Sequence, residues 1–202
     1  MRFAGQPSWG LSLTEGGPPL VALVLRQMLA LDVAPEPVVP PALEADVPIR
    51  HGAAPDGVRA AWSKQWPLVF ADVVRREGDS SGLGSEVVRT WASTIDDGLW
   101  EAADRQADVI EADDRFRTDP GATHTRAIGE VAREIIATRG IDPERVQGSL
   151  VAVPVRGPWW HLIDPGRVVC SWAALTEPES ARGVIRMAVE SGLDAEPGPP
   201  TS

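Results

Sequence analysis

The chain has little of the chemistry that builds disulfide scaffolds or membrane spans. Among its 202 residues there is one cysteine, Cys170, which excludes an internal disulfide framework and any Cys-x-x-Cys metal or redox module. The first apolar run, Leu20 to Leu25, ends at Arg26 and is too short for a secretory signal or a membrane span. We therefore expect no membrane association, and we expect a reducing compartment, the cytoplasm.

Motifs for cofactor chemistry are missing as well. The glycines between Gly78 and Gly84 lack the lysine of a P-loop and the preceding strand of a dinucleotide fingerprint. No serine lies in a Gly-x-Ser-x-Gly context. His51 and His124 lack the spaced acids or cysteines of a metal-ligand set. We expect no cofactor, no metal, and a binding role rather than an enzymatic one.

Acidic residues outnumber basic ones, 29 to 19, which gives a formal net charge of −10. Binding nucleic acid needs a basic stripe that releases counterions, so nucleic acid is not an expected partner. With 43% hydrophobic and 24% charged residues, the composition is typical of one soluble globular domain. We assign this domain to residues 1–193 and expect a disordered tail at 194–202.

The first 140 residues are predicted to be mainly helical. Trp9, Leu11 and Leu13 alternate with polar or small residues, as in a short strand. The apolar run 20–31 favours a buried helix, with a strand as the alternative. Five prolines in 33–48 predict an extended connector, because proline fixes φ and lacks a donor. Apolar spacings of three and four then predict helices at 56–77, at 85–117 with a break near Gly98, and at 120–140, the last two forming an antiparallel hairpin.

The last third changes to β-branched residues. Strands are predicted at 149–155, 159–163 and 167–172, with an Asp-Pro-Gly-Arg turn at 164–167 between the last two. A capping box of Thr176 and Glu179 predicts a C-terminal helix. The expected fold is therefore α+β, with a small antiparallel sheet packed against several helices. The sheet consists of the C-terminal meander, either alone or together with the N-terminal strand.

The predicted hairpin suggests one catalytic pair. A two-residue turn at Pro165 and Gly166 places His161 opposite Cys170, within reach for a base to deprotonate a thiol. The same pair offers two ligands to a zinc ion. A three-residue turn instead places His161 opposite Val169. Because apolar side chains share this face, we favour Cys170 as a small core hydrophobe.

An acidic stripe is the second feature. Its members recur at intervals of four and three residues and so share one helical face: Asp97, Glu101, Asp104, Asp108 and Glu111. The stripe is a solvated helix face or a docking surface for a basic partner, since such a field steers association.

Tryptophan is the third feature, with eight Trp, three Phe and no Tyr in the chain. Trp62 and Trp66 lie one helical turn apart, and Trp159 and Trp160 point to opposite faces of a strand. One face of the hairpin forms the core, so the face bearing Trp160 needs a cover. That cover is a helix, a ligand, a protein partner or a second copy of the chain.

Together these features predict a cytoplasmic binding or accessory protein. Its expected contact surfaces are the sheet face bearing Trp160, the Trp62 and Trp66 pair, and the acidic stripe. The first alternative is a hydrolase or acyl-transfer enzyme with Cys170 as nucleophile and His161 as base. The second alternative is a small-ligand-binding domain.

Overall fold

A computed structural model of the protein describes residues 9–50, 54–77, 83–113 and 121–195, without the side chains of residues 97 and 121–125. Over these ranges the chain forms four strands and seven α-helices. In chain order they are β1 (Gly10–Glu15), α1 (Gly17–Met28), α2 (Asp56–Arg76), α3 (Leu83–Ser93), α4 (Asp97–Ala112), α5 (Gly121–Arg139), β2 (Gln147–Val153), β3 (Trp160–Asp164), β4 (Arg167–Ser171), α6 (Trp172–Thr176) and α7 (Pro178–Asp194). The predictions for His51, for the side chain of His124, for most of the loop 78–84 and for the tail fall outside the described residues.

The strands form one mixed sheet in the order β1-β2-β4-β3. The α+β class and the small sheet packed on helices are confirmed. β1 runs parallel to β2, and β2 parallel to β4, so within this four-stranded sheet only the β3–β4 hairpin is antiparallel. The reason is that β4, buried at four of its five positions, takes the interior place beside β2. β3 carries His161 and Asp164 and remains at the edge.

Two apolar clusters cover the two faces of the sheet. The first cluster joins α1, α2, α3 and α4 to Val151, Val153 and Val169. The second cluster joins α5, α6 and α7 to Leu150 and Cys170, with other residues of β2 and β4. The period-2 alternation therefore divides β2, β3 and β4 between two cores.

Helix α1 settles the assignment of the apolar run after residue 19. It begins at Gly17, and Pro18 and Pro19 occupy its first turn, where missing N–H groups cost little. α1 contacts α2, α3 and α4, and a helix surrounded by others is apolar all round. This is why the run shows almost no helical polarity in the sequence.

Two predictions about the middle helices were wrong in detail. The long stretch after residue 85 divides before Gly98, because the Asp96 side chain accepts a hydrogen bond from the Gly98 N–H, 2.8 Å, and caps α4. The expected antiparallel hairpin of this stretch with the next helix does not form. α5 buries Val131 and Ile135 in the second cluster and packs against α7, so it lies on the other face of the sheet from α4.

The proline connector lies across the molecule, as predicted, and is tied to it at several points. Leu43 forms an isolated bridge with Val155 and is buried. The Arg26 guanidinium donates to the Pro40 carbonyl, 2.6 Å. These contacts make the connector part of the first cluster's cover.

The capping box expected before α7 is absent. The helix begins at Pro178, and no side chain caps its N-terminus. The Thr176 hydroxyl instead donates to the Ala173 carbonyl, 3.0 Å. The short helix α6, which was not predicted, ends at Thr176 and so places that hydroxyl behind the start of α7.

Candidate functional site

The register of the β3–β4 hairpin separates the predicted catalytic pair. His161 pairs with Val169, and Trp160 pairs with Cys170, with a register shift between Leu162 and Asp164. The shift has the effect expected of a longer turn. His161 and Cys170 therefore point to opposite faces of the sheet, and the proposed nucleophile–base contact is wrong.

The environment of Cys170 also opposes a nucleophilic role. Its side chain is fully buried in the second cluster, and this desolvation raises the pKa of the thiol to about 12. Burial likewise lowers the pKa of His161. A thiol held neutral among apolar side chains acts as a small core residue. Within the described ranges, no three His, Cys, Asp or Glu side chains are grouped so that they could hold a metal ion.

Trp62 and Trp66 form part of the first cluster rather than an exposed platform. The Trp62 ring stacks on Trp91 with centroids 4.0 Å apart. The Trp66 ring stacks on Phe70 at 4.9 Å, and its indole N–H donates to the Ala22 carbonyl, 3.1 Å. Both tryptophans are buried, so neither can contact a partner in this conformation.

Trp160 is the member of the predicted tryptophan set that reaches the surface. It lies on the edge strand β3 and is 37% exposed. Leu162, on the same face, packs against the second cluster. Helices thus cover most of the sheet face whose cover was left open by the sequence.

The acidic stripe follows the outer side of α4. Glu101, Asp108 and Glu111 are exposed, and Asp104 is half-buried. The side chain of Asp97 lies outside the described residues. The docking role of the stripe stays a prediction.

Glu111 has a contact that the helical spacing did not reveal. Its Oε1 accepts a hydrogen bond from the backbone N–H of Gly17, 2.7 Å, and so caps the N-terminus of α1. Gly16, with φ +66°, makes room for this contact, because a Cβ there would overlap the Glu111 carboxylate. The last residue of the stripe is thereby fixed at the end of β1.

A crevice opens at this place for a topological reason. The parallel strands β1, β2 and β4 bring their carboxyl ends to one edge of the sheet. The chain leaves β1 into α1 in the first cluster, and it leaves β4 into α6 in the second cluster. Connections that depart to opposite faces leave a gap between them, and open α/β sheets bind ligands at this position.

We call this gap the carboxyl-edge crevice. Its volume is about 170 Å³, roughly that of five or six liquid waters at ~30 Å³ each. Its walls include Glu15, Leu20, Ile110, Glu111, Pro154 and Trp172. Among the described residues, its charged walls are two carboxylates, Glu15 and Glu111, set among apolar side chains and one indole.

Sequence reasoning identified Glu111 but missed Glu15, Pro154 and Trp172. A Gly-Gly-Pro-Pro turn directly after a strand was a usable signal, because such a turn opens a strand-to-helix connection. The signal needed the parallel pairing of β1 with β2 before it could mark a carboxyl edge.

Comparisons with known proteins add no relative. No family model, curated protein or solved structure matches the chain. In the part of the chain that the structure describes, none of the helices combines the length and the apolar character needed to cross a membrane.

Proposed function

We propose that the protein binds a small cationic ligand, an amine or a guanidinium compound, in the carboxyl-edge crevice. The observation that carries this proposal is the crevice itself, formed where the connections after β1 and β4 depart to opposite faces and walled by two carboxylates. This proposal develops the second alternative from the sequence analysis, a small-ligand-binding domain, and adds a site and a class of ligand.

The charge of the crevice favours a cation over an anion. A helix N-terminus attracts anions through its free N–H groups, but Pro18 and Pro19 have none to offer. The Gly17 N–H is already taken by Glu111. Glu15 is exposed and makes no ion pair with any residue that the structure describes, so its carboxylate is available to an ammonium or guanidinium group.

The apolar walls supply the rest of the recognition. Leu20 and Ile110 line the crevice and give an apolar surface for the alkyl part of a ligand. Trp172 lines it too, and an indole is the aromatic group that attracts cations most strongly. The acidic stripe on α4 leads to Glu111 at the crevice, and a surface field of one sign concentrates an oppositely charged ligand. The stripe thus adds a general attraction for cations, while the contacts with the ligand come from the crevice. The docking role predicted for the stripe concerns a basic partner and is a separate proposal.

The test is a titration of the purified protein with agmatine, putrescine and methylguanidine, followed by the backbone amide shifts of Gly16 and Gly17. We expect saturable shifts, and a roughly tenfold weaker affinity in Glu15→Gln, since a hydrogen bond to a charged group contributes about 1.5–3 kcal/mol. Glu101→Gln is the matched control, because it removes the same charge from the stripe but lies away from the crevice wall.

Two outcomes contradict the proposal. One is the absence of saturable shifts with all three compounds at millimolar concentrations. The other is an equal loss of affinity in Glu15→Gln and Glu101→Gln, which would show that the net charge of the protein, and not the crevice, attracts the cation.

A basic protein segment is the second candidate partner, and it would dock on α4. Val109 favours it, because this apolar side chain is 63% exposed beside Asp108 and near Glu111. An apolar contact bordered by charges is typical of a protein interface. Binding of a basic amphipathic peptide that weakens in Val109→Ser and not in Leu68→Ser, another exposed apolar site, would support it; equal binding by both variants would count against it.

The remaining expectations are part of the same proposal. The excess of acidic residues in the chain supports the expectation that the protein does not bind nucleic acid. The single cysteine supports the cytoplasm. Trp160 on an edge strand supports self-association, and sedimentation of wild type against Trp160→Ser would show whether a homodimer forms through it.

A further inference from the structure

A second, larger groove lies at the opposite edge of the sheet, where the parallel strands begin. Its volume is about 670 Å³. Its polar side chains come from Ser12, Arg145, Gln147, Ser149 and Arg167, and the other described residues of its lining are four glycines, one leucine and one proline. We call it the amino-edge groove.

The charge of this groove is opposite to that of the protein. The chain carries a formal net charge of −10, yet the described lining of the groove holds two arginines and no acidic residue. Neither Arg145 nor Arg167 makes an ion pair with a described carboxylate. Asp164, the strand neighbour of Arg167, is bound by Arg75 at 3.0 Å. The two guanidinium groups are therefore not neutralised within the described fold.

The strand register aligns the polar groups in a row. Ser12 on β1 pairs with Ser149 on β2, and Ser149 pairs with Arg167 on β4. Paired residues of adjacent strands share a face, and strands lie about 4.8 Å apart. The backbones of Ser12, Ser149 and Arg167 thus lie in one row that spans roughly 10 Å across the sheet.

This row breaks the apolar pattern of its own face. Two residues further along, Val151 and Val169 occupy the same face and are buried in the first cluster. Ser12 is exposed, while Ser149 and Arg167 are half-buried. The face therefore changes from buried core to an open polar surface within two residues along β2 and β4. Arg145 lines the same groove.

Arg167 is held in place from one side only. Its Nη1 donates to the Val74 carbonyl, 3.2 Å, in the last turn of α2. A guanidinium carries five N–H donors in a planar fork, so the donors on its other side remain for a ligand. Gly192, in the same lining, has a packing cause instead, because a Cβ there would come within 3.2 Å of the Gln147 carbonyl oxygen.

We propose that the amino-edge groove binds the phosphate group of a small phosphorylated ligand. Guanidinium groups recognise phosphate oxygens in pairs, and hydroxyl donors complete the shell. Arg145 and Arg167 neutralise the charge, and Ser12 and Ser149 donate to the remaining oxygens. This site is separate from the carboxyl-edge crevice and takes a ligand of opposite charge, so each proposal stands or falls by its own titration.

The test is a titration of the full chain with inorganic pyrophosphate and with inorganic phosphate at low ionic strength, with sodium chloride as the reference anion. We expect saturable amide shifts at Gly148, Ser149 and Gly166, with a smaller response to chloride. Arg145→Gln should weaken the affinity for pyrophosphate roughly tenfold or more, the effect of a hydrogen bond to a charged group.

The matched control is Arg133→Gln, because Arg133 also makes no ion pair with a described carboxylate and donates to its own helix at Gly129. It removes the same charge at a position outside the described lining of the groove and should leave the affinity unchanged. Arg167→Gln applies the same affinity measurement to the row formed by Ser12, Ser149 and Arg167. Should loss of its bond to Val74 unfold that variant, Arg145→Gln still decides, because Arg145 is an exposed residue.

Three results would overturn the proposal. The first is that neither pyrophosphate nor phosphate gives saturable amide shifts. The second is that chloride gives shifts of the same size. The third is that Arg145→Gln and Arg133→Gln lose the same amount of affinity. The last result would assign the binding to general charge screening.

Discussion

The buried thiol of Cys170 should make the protein unstable in alkali, and the composition makes that effect measurable. Desolvation raises its pKa from the ordinary value of 9.0 to about 12 in the fold. Between these values the unfolded chain loses the thiol proton while the native state keeps it. The unfolded state then binds fewer protons, so the free energy of unfolding falls as the pH rises. At neutral pH both states are protonated and the group has no effect.

The expected size follows from proton linkage. Relative to neutral pH, the wild type should lose on the order of 1 kcal/mol at pH 10 and roughly 2–3 kcal/mol at pH 11 through this one group. The background is low, because the chain has no tyrosine and a single lysine, Lys64.

The measurement is urea unfolding of wild type and Cys170→Ala from pH 8 to pH 11. The free energy of unfolding of each protein is compared with the value of the same protein at neutral pH. The effects of the cavity left by the substitution and of the titration of Lys64 then cancel between the two proteins. Parallel decline of the two proteins would refute the argument, because it would mean that the native thiol ionises as readily as the unfolded one.

Four further outcomes follow from the structure. A thiol reagent should label Cys170 in the native protein only as fast as the protein unfolds, and rapid stoichiometric labelling would contradict its burial. Trp66→Phe should lower the free energy of unfolding by about 1–3 kcal/mol in urea, because it deletes the hydrogen bond to Ala22 and leaves a gap in the core; a change under about 0.5 kcal/mol would count against this. Gly16→Ala should cost about 1–3 kcal/mol in the same assay, since the positive φ strains an alanine and the added Cβ would displace the Glu111 carboxylate from the Gly17 N–H. Gly183→Ala, which has open space in the middle of α7, should instead raise stability by about 0.5–1 kcal/mol, and a loss would show that the position is crowded.

Local patterns predicted most elements, because their causes lie within a few residues. The helix of Asp56–Arg76 was visible as a period of 3.6 residues, and the three C-terminal strands as runs of β-branched and apolar residues beside a turn signal. Gly140 ended its helix as expected and has φ +61°. The break before α4 was predicted near Gly98 and lies just before Asp97, where Asp96 caps the helix. A capping Asp and a glycine two residues later indicate the same boundary to within a few residues.

The pairing of elements was beyond the sequence patterns. α5 has an apolar face that fits either side of the sheet, and only the packed structure shows that it joins α7. The hairpin register depended on the irregularity between Leu162 and Asp164, and a one-residue shift moves every side chain to the other face. This shift separated His161 from Cys170 and so removed the contact on which the enzymatic alternative was based.

The candidate sites show the same division. The sequence alone established an acidic chain with an acidic stripe, a buried first helix and a β-rich last third, because composition and periodicity are local properties. It could not bring Glu111 to Gly17, which lie 94 residues apart, nor align Ser12 with Ser149 and Arg167. Those contacts depend on which strands run parallel and which face each helix covers. Both are decided when the two apolar clusters form, since every element must then bury its apolar side against all the others at once.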